Sequence, residues 1–199
     1  MCRAAPRKVI VMLKKIAIGF GVLVAVLLVV TATRPATFHI ERSAAFAAPP
    51  NAAFAQVNDF HAWQAWSPWD KLDPNMKRSY EGPKQGVGAK YAWAGNDEVG
   101  QGRMTITRSD EPSLIELKLE FLKPFETTNK TTFRFEPSAG GTKVTWAMDG
   151  ENNFMGKAFS LFMDMDSLVG SDFERGLEAM KGRAESAAKD AASVAEARE

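Results

Sequence analysis

The stretch SLIELKLEFLKP, Ser113 to Pro124, decides how this chain folds. Ile115, Leu117, Leu119 and Phe121 alternate with Glu116, Lys118 and Glu120, the period of two that sends successive side chains to opposite faces of a strand. One face is apolar and the other charged. That pattern belongs to an antiparallel sheet with a core side and a water side.

Working outward, the neighbouring segments follow the same rule and are separated by turn residues. KRSYEG and VGAKYAWAGN are joined by PKQG, and GQGRMTITRSD sets Met104 and Ile106 against Thr105 and Thr107 before Glu111 and Pro112. In TTNKTTFRFEP, Phe133 and Phe135 share a face; in GTKVTWAMDG, Val144, Trp146 and Met148 do, and SAGG makes the hairpin between the two. Upstream, ATFHIERSAAFA reads as a first strand ended by Pro49 and Pro50, which brings the count to about seven strands. PPNAAFAQVNDF then predicts a short helix, and HAWQAWSPW, His61 to Trp69, a second one stopped at Pro68.

Downstream the period changes. Leu168 or Val169, Phe173, Leu177 and Met180 recur every three or four residues with acids and Arg175 between them, which predicts a long amphipathic helix. The fold class is therefore α+β: a curved antiparallel sheet wrapped around a C-terminal helix, with two short helices after the first strand. The alanine-rich tail, 184–199, extends that helix or frays from it.

At the other end, Arg3, Arg7, Lys8, Lys14 and Lys15 precede IAIGFGVLVAVLLVVTAT, Ile16 to Thr33, an uncharged run of about the length that spans a bilayer. A cleaved signal remains open, with VTA as the small residues before a cut; the length of the apolar run favours an uncleaved anchor. The basic flank holds residues 1–15 in the cytoplasm and sends the rest across the membrane. Setting those five residues aside leaves 20 basic against 24 acidic residues, a balance that argues against nucleic acid as the partner. The lone cysteine, Cys2, allows no internal disulfide.

The order of elements, together with IERSAAFAAPPNAAFAQVNDFHAWQAWSPW, GVGAKYAWAG, GQGRMTI, GGTKVTW and GSDFERGLEAMK, resembles the SRPBCC superfamily. That superfamily has the helix-grip fold of START lipid-transfer domains, the birch-pollen allergen group and aromatic polyketide cyclases; the likeness is greatest to its bacterial polyketide cyclase/dehydrase branch. It covers about Phe38 to Arg183, so the domain is placed at 36–183. The resemblance implies a cavity between sheet and helix for an apolar small molecule or lipid. The apolar run and its basic flank add the expectation of a single-pass membrane protein, of the inner membrane in a bacterium, with its domain on the periplasmic side.

Candidate cavity residues are the inward-phased Tyr91, Trp93, Met104, Leu117 and Leu119. Phe133 and Trp146 join them from the last hairpin, Trp66 from the aromatic stretch, and Phe159 and Phe162 from the methionine-rich segment before the long helix. Tyr91 is the polar group best phased to orient a ligand. The tryptophans fit equally a plug closing the domain and a cavity wall, and the Met155–Met165 group fits a core or a gate.

Chemistry is harder to place. His61 and His39 lack a nucleophile or a zinc-type partner pattern, and Arg103 and Asp149 fall on outward phases. Asp164, Asp166 and Asp172 lack the glycine and glutamate of a calcium loop, and GVG and GQG read as turn or bulge glycines. No catalytic residue, metal, cofactor or protein partner is indicated. The leading expectation is a non-enzymatic, membrane-anchored binding domain; a cyclase or dehydratase using the same cavity and a structural, partner-binding protein are the alternatives.

Overall fold

The computed structural model describes residues 7–197; Cys2 and Arg3 lie outside the described residues. Two compact units are present. One holds the N-terminal helix through Ala36 together with Asn152–Met163, and the other holds Thr37–Glu151 with the chain from Asp164 onward.

In the first unit, helix α1 runs Arg7–Thr33. Its 23-residue apolar stretch Val11–Thr33 is long and apolar enough to cross a membrane, about 35 Å at the helical rise against a hydrocarbon core of about 30 Å. After it, the Asn152 main-chain N–H donates to the Ala36 carbonyl at 2.8 Å.

In the second unit, seven strands form one antiparallel sheet: β1 Thr37–Phe46, β2 Lys77–Glu81, β3 Lys90–Ala94, β4 Gln101–Asp110, β5 Leu114–Lys123, β6 Thr127–Ser138 and β7 Gly141–Glu151. Their order is β1-β7-β6-β5-β4-β3-β2, so the first strand closes beside the last and the rest meander. Helix α2, Pro50–Asn58, follows β1 with proline in its first turn and buries Ala53, Phe54 and Val57. In the first unit, α3 is Phe154–Phe159; in the second, α4 is Met165–Glu196.

The alternation read in SLIELKLEFLKP sets the packing. Ile115 and Leu117 are fully buried, whereas Glu116 and Lys118 form ion pairs on the outer face with Lys130 and Glu120 at 2.7 and 2.9 Å. Register shifts in the β4–β5 ladder at Gln101/Gly102 and Ile106/Arg108 bend the sheet there, as bulges do. The concave face closes on α4, whose Phe173, Leu177, Met180 and Ala184 recur at helical spacing and are all nearly inaccessible. The Asp164 side chain caps α4 by accepting from the Asp166 and Ser167 N–H groups. Arg42 of β1 adds ion pairs to Asp166 and Glu174, both at 2.9 Å. The alanine-rich tail is helical to Glu196.

The tryptophan stretch departs from an α-helix. Phe60–Ala65 is a 3-10 turn, and Trp69–Lys71 is a second one after Pro68. With three residues per turn, positions i, i+3 and i+6 eclipse, so Phe60, Trp63 and Trp66 share one buried face. Trp69, beyond the proline, is half-buried.

Candidate functional site

Between α4, the tryptophan turns and the concave face, the packing leaves a cavity of about 210 Å³. Its sheet wall is aromatic and sulfur-rich. Tyr91 and Trp93 of β3 stack at 5.9 Å between ring centroids, and Phe121 of β5 meets Trp93 edge-on at 6.0 Å. Met104 and Leu119 continue that wall, and Thr131, Trp146 and Met148 carry it across β6 and β7. Val169, Asp172 and Phe173 of α4 close the opposite side, with Trp63 and Trp69 between.

Two glycines create this shape. A Cβ on Gly102 would run into the Trp93 indole and lie 2.6 Å from the Glu120 carbonyl oxygen, so only glycine lets the indole lie across β4. A Cβ on Gly176 would come within 2.7 Å of the Trp146 ring, so glycine there sets the spacing of α4 from β7. Trp93 is fixed further because its Nε1–H donates to the Val99 carbonyl at 3.0 Å.

The polar groups at the wall are few. Asp70 Oδ1 accepts from Arg78 Nε at 2.8 Å and Nη2 at 2.5 Å, with the two side chains 8% and 19% exposed. Burial pulls the Arg78 guanidinium down, but its hydrogen bond and charge pairing with Asp70 outweigh this and hold it above its ordinary value. Burial, and then the charge of Asp70, push the Tyr91 phenol well above its ordinary value, with Arg78 opposing them. Tyr91 is therefore a neutral hydrogen-bonding group at physiological pH. Thr131 Oγ1 and Trp146 Nε1 have no hydrogen-bond partner among the described residues.

Five of the residues picked from the sequence, Tyr91, Trp93, Met104, Leu119 and Trp146, stand on the cavity wall. Trp66, Leu117 and Phe133 do not; each is packed into the core at 1% exposure or less. For Trp66 the cause is the 3-10 turn, which directs its indole to the Gln56 carbonyl at 3.0 Å and its face onto Phe133 and Trp146. Phe159 and Phe162 belong to the Asn152–Met163 segment of the other unit.

Phe121 and Met148 were legible in phase with residues already chosen on β5 and β7, and Thr131 in phase with Phe133. Asp70 carries no local signal, because the partner that defines it, Arg78, comes from another element. The histidines lie elsewhere: His61 is exposed, stacked on Tyr80 and bonded to Asp59 at 2.7 Å, and His39 is exposed beside Asp149 at 2.6 Å. A wider depression on the outer sheet face is walled by His39, Glu116, Lys118, Lys130 and Asp149. Those groups pair with one another or with Glu120, so ion pairs ring that depression, with Phe38 and Leu117 also on its lining. Among the described residues, no group of three His, Cys, Asp or Glu is placed to hold a metal ion.

A curved antiparallel sheet gripping a C-terminal helix, with an apolar cavity between them, defines the helix-grip class. The chain belongs to the polyketide cyclase / dehydrase and lipid transport family, whose profile matches residues 37–185. No curated protein matches it in sequence. Among solved structures it is similar to protein CV1439 from Chromobacterium violaceum, with a TM-score of 0.54 and 14% identity over 76% of this chain and 99% of that one. It is also similar to Ara h 8.0201, with a TM-score of 0.52 and 16% identity over 75% and 99% of the two chains. The di-domain ARO/CYC StfQ from the steffimycin biosynthetic pathway matches with a TM-score of 0.55 and 13% identity over 77% of this chain and 52% of that one. At these identities the likeness is one of fold.

Proposed function

We propose that this protein is a membrane-anchored, non-enzymatic binding domain for a hydrophobic small molecule or lipid. The observation that carries the proposal is the cavity of about 210 Å³ walled by aromatic rings, methionines and leucine. A cavity of about 150 Å³ lined by apolar side chains takes up benzene, so this one has room for a somewhat larger ring system or a short stretch of chain. The family's description, which includes lipid transport, supports the same reading. Helix α1 supplies the anchor, and the basic residues on its N-terminal side orient the domain away from the cytoplasm.

The test is competition for an environment-sensitive fluorescent dye. The full chain binds the dye, apolar competitors displace it, and the cavity-filling substitution Leu119→Trp weakens binding at least about tenfold while the protein stays folded. Dye binding that ignores Leu119→Trp contradicts the assignment of the cavity.

A second reading, a cyclase- or dehydratase-like enzyme, is favoured by one feature: the Tyr91 hydroxyl and the Asp70 carboxylate stand on the wall of the same cavity. It predicts turnover of a reactive polyketide chain that Tyr91→Phe abolishes. Unchanged turnover in that variant removes the reading.

A further inference from the structure

Trp146 and Thr131 stand on the cavity wall at 2% and 3% exposure, and each carries a polar atom with no partner among the described residues. Buried polar groups in folded proteins are paired in the great majority, and each exception calls for an explanation. Comparable groups nearby are paired. The indoles of Trp63, Trp66 and Trp93 each donate to a main-chain carbonyl at 3.0 Å, and the buried Thr142 hydroxyl donates to the Ala48 carbonyl at 2.7 Å. Asn129 Oδ1, two residues along β6 from Thr131, is also unpaired among the described residues; of these three atoms, two belong to residues of the cavity wall.

The two residues are also close to each other. In the β6–β7 ladder Thr131 faces Met148 and Phe133 faces Trp146, so Thr131 and Trp146 are diagonal neighbours on the concave face, roughly 7–8 Å apart. The indole N–H is a donor only, and the threonine hydroxyl is a donor or an acceptor. A carbonyl oxygen, with two lone pairs, accepts from both. The charged residues on the wall are Asp70, Glu98 and Asp172, all acidic, with Asp70 held by Arg78 and Asp172 by Arg175. Among the described residues, no lysine or arginine lines the wall to receive an anion.

We propose that the cavity selects an uncharged apolar molecule bearing an oxygen acceptor, of which a ketone carbonyl is the simplest, seated between Trp146 Nε1 and Thr131 Oγ1. The proposal rests on the binding function above and specifies the chemistry of its ligand. It accounts for two donors being kept unpaired in an apolar wall: the ligand completes them.

The experiment is calorimetric titration of the full chain in amphipol, against an amphipol blank, with indane, 1-indanone and indane-1-carboxylate. The wild-type protein binds 1-indanone at least as tightly as indane, although the ketone gives up more hydration, and binds the carboxylate most weakly. Thr131→Val, which keeps the side-chain shape, and Trp146→Phe each shift the ketone-to-hydrocarbon ratio toward indane by about 3- to 10-fold. Thermal melts establish that the variants are folded, and Thr131→Val alone decides the matter if Trp146→Phe is not. A preference for indane that Thr131→Val leaves unchanged, or tightest binding of the carboxylate, overturns the inference while leaving hydrophobic binding intact. Absence of binding by all three compounds overturns both.

Discussion

Gly102 and Trp93 show how closely the cavity wall is fitted. The Cβ of an alanine at 102 would press on the indole and on the Glu120 main-chain oxygen at 2.6 Å, and a backbone atom in a paired strand yields at a cost. Gly102→Ala is expected to destabilise the domain by about 1–3 kcal/mol in urea unfolding and to shift the tryptophan emission as Trp93 moves. Trp146 is the most connected ring: it stacks on Phe173 at 4.1 Å and Phe133 at 4.9 Å and meets Trp66 and Trp69 edge-on. Trp146→Ala should therefore cost about 3–5 kcal/mol, read from the same unfolding curves. At this scale strand phase alone made Tyr91, Trp93 and Trp146 legible. Trp66 packs in the core because a turn of three residues directs its indole differently from a helix of 3.6, a distinction that side-chain spacing alone does not carry.

At the scale of elements, α4 offers a paired test of why glycine occurs inside a helix. Gly182 is exposed, and a Cβ added there would meet nothing within 4 Å, so Gly182→Ala should gain the helix-propensity difference, about 0.5–1 kcal/mol. Gly176→Ala gains the same propensity but drives its Cβ to within 2.7 Å of the stacked Trp146 ring, and the clash should win, lowering the melting temperature. The sheet contributes a pH test. Hydrogen bonds from Arg103 and then Lys118 hold Glu120 down to about 2 from an ordinary value of 4.5. A carboxylate depressed in the folded state adds stability that is present above its unfolded value and lost as pH falls through the folded one. Stability should thus decline between about pH 4.5 and 2, and Glu120→Gln should flatten part of that decline in acid-unfolding curves. The two glycines were visible in the sequence only as helix-weakening residues, because what they face comes from β7 or from solvent.

For the whole molecule, the alternation in β4 to β7 and the 3.6-residue recurrence in α4 were enough to read an α+β helix-grip fold, because each element buries one face and the faces fit a single core. The cavity was not legible in the same way. It is a small difference between the volumes of many packed side chains, and single residues such as Gly102 and Gly176 decide where it opens. The helix α1 is long and apolar enough to span a bilayer, so the full chain is expected to stay with membranes through alkaline carbonate extraction. Release into the supernatant would contradict anchoring. Whether the domain holds a hydrophobic ligand is read by native mass spectrometry of the full chain purified from membranes, followed by organic extraction of the protein peak. A bound, uncharged apolar compound at up to one per chain, diminished in Leu119→Trp, is the expected result. Protein that carries no such compound and takes up none when offered apolar candidates would contradict it.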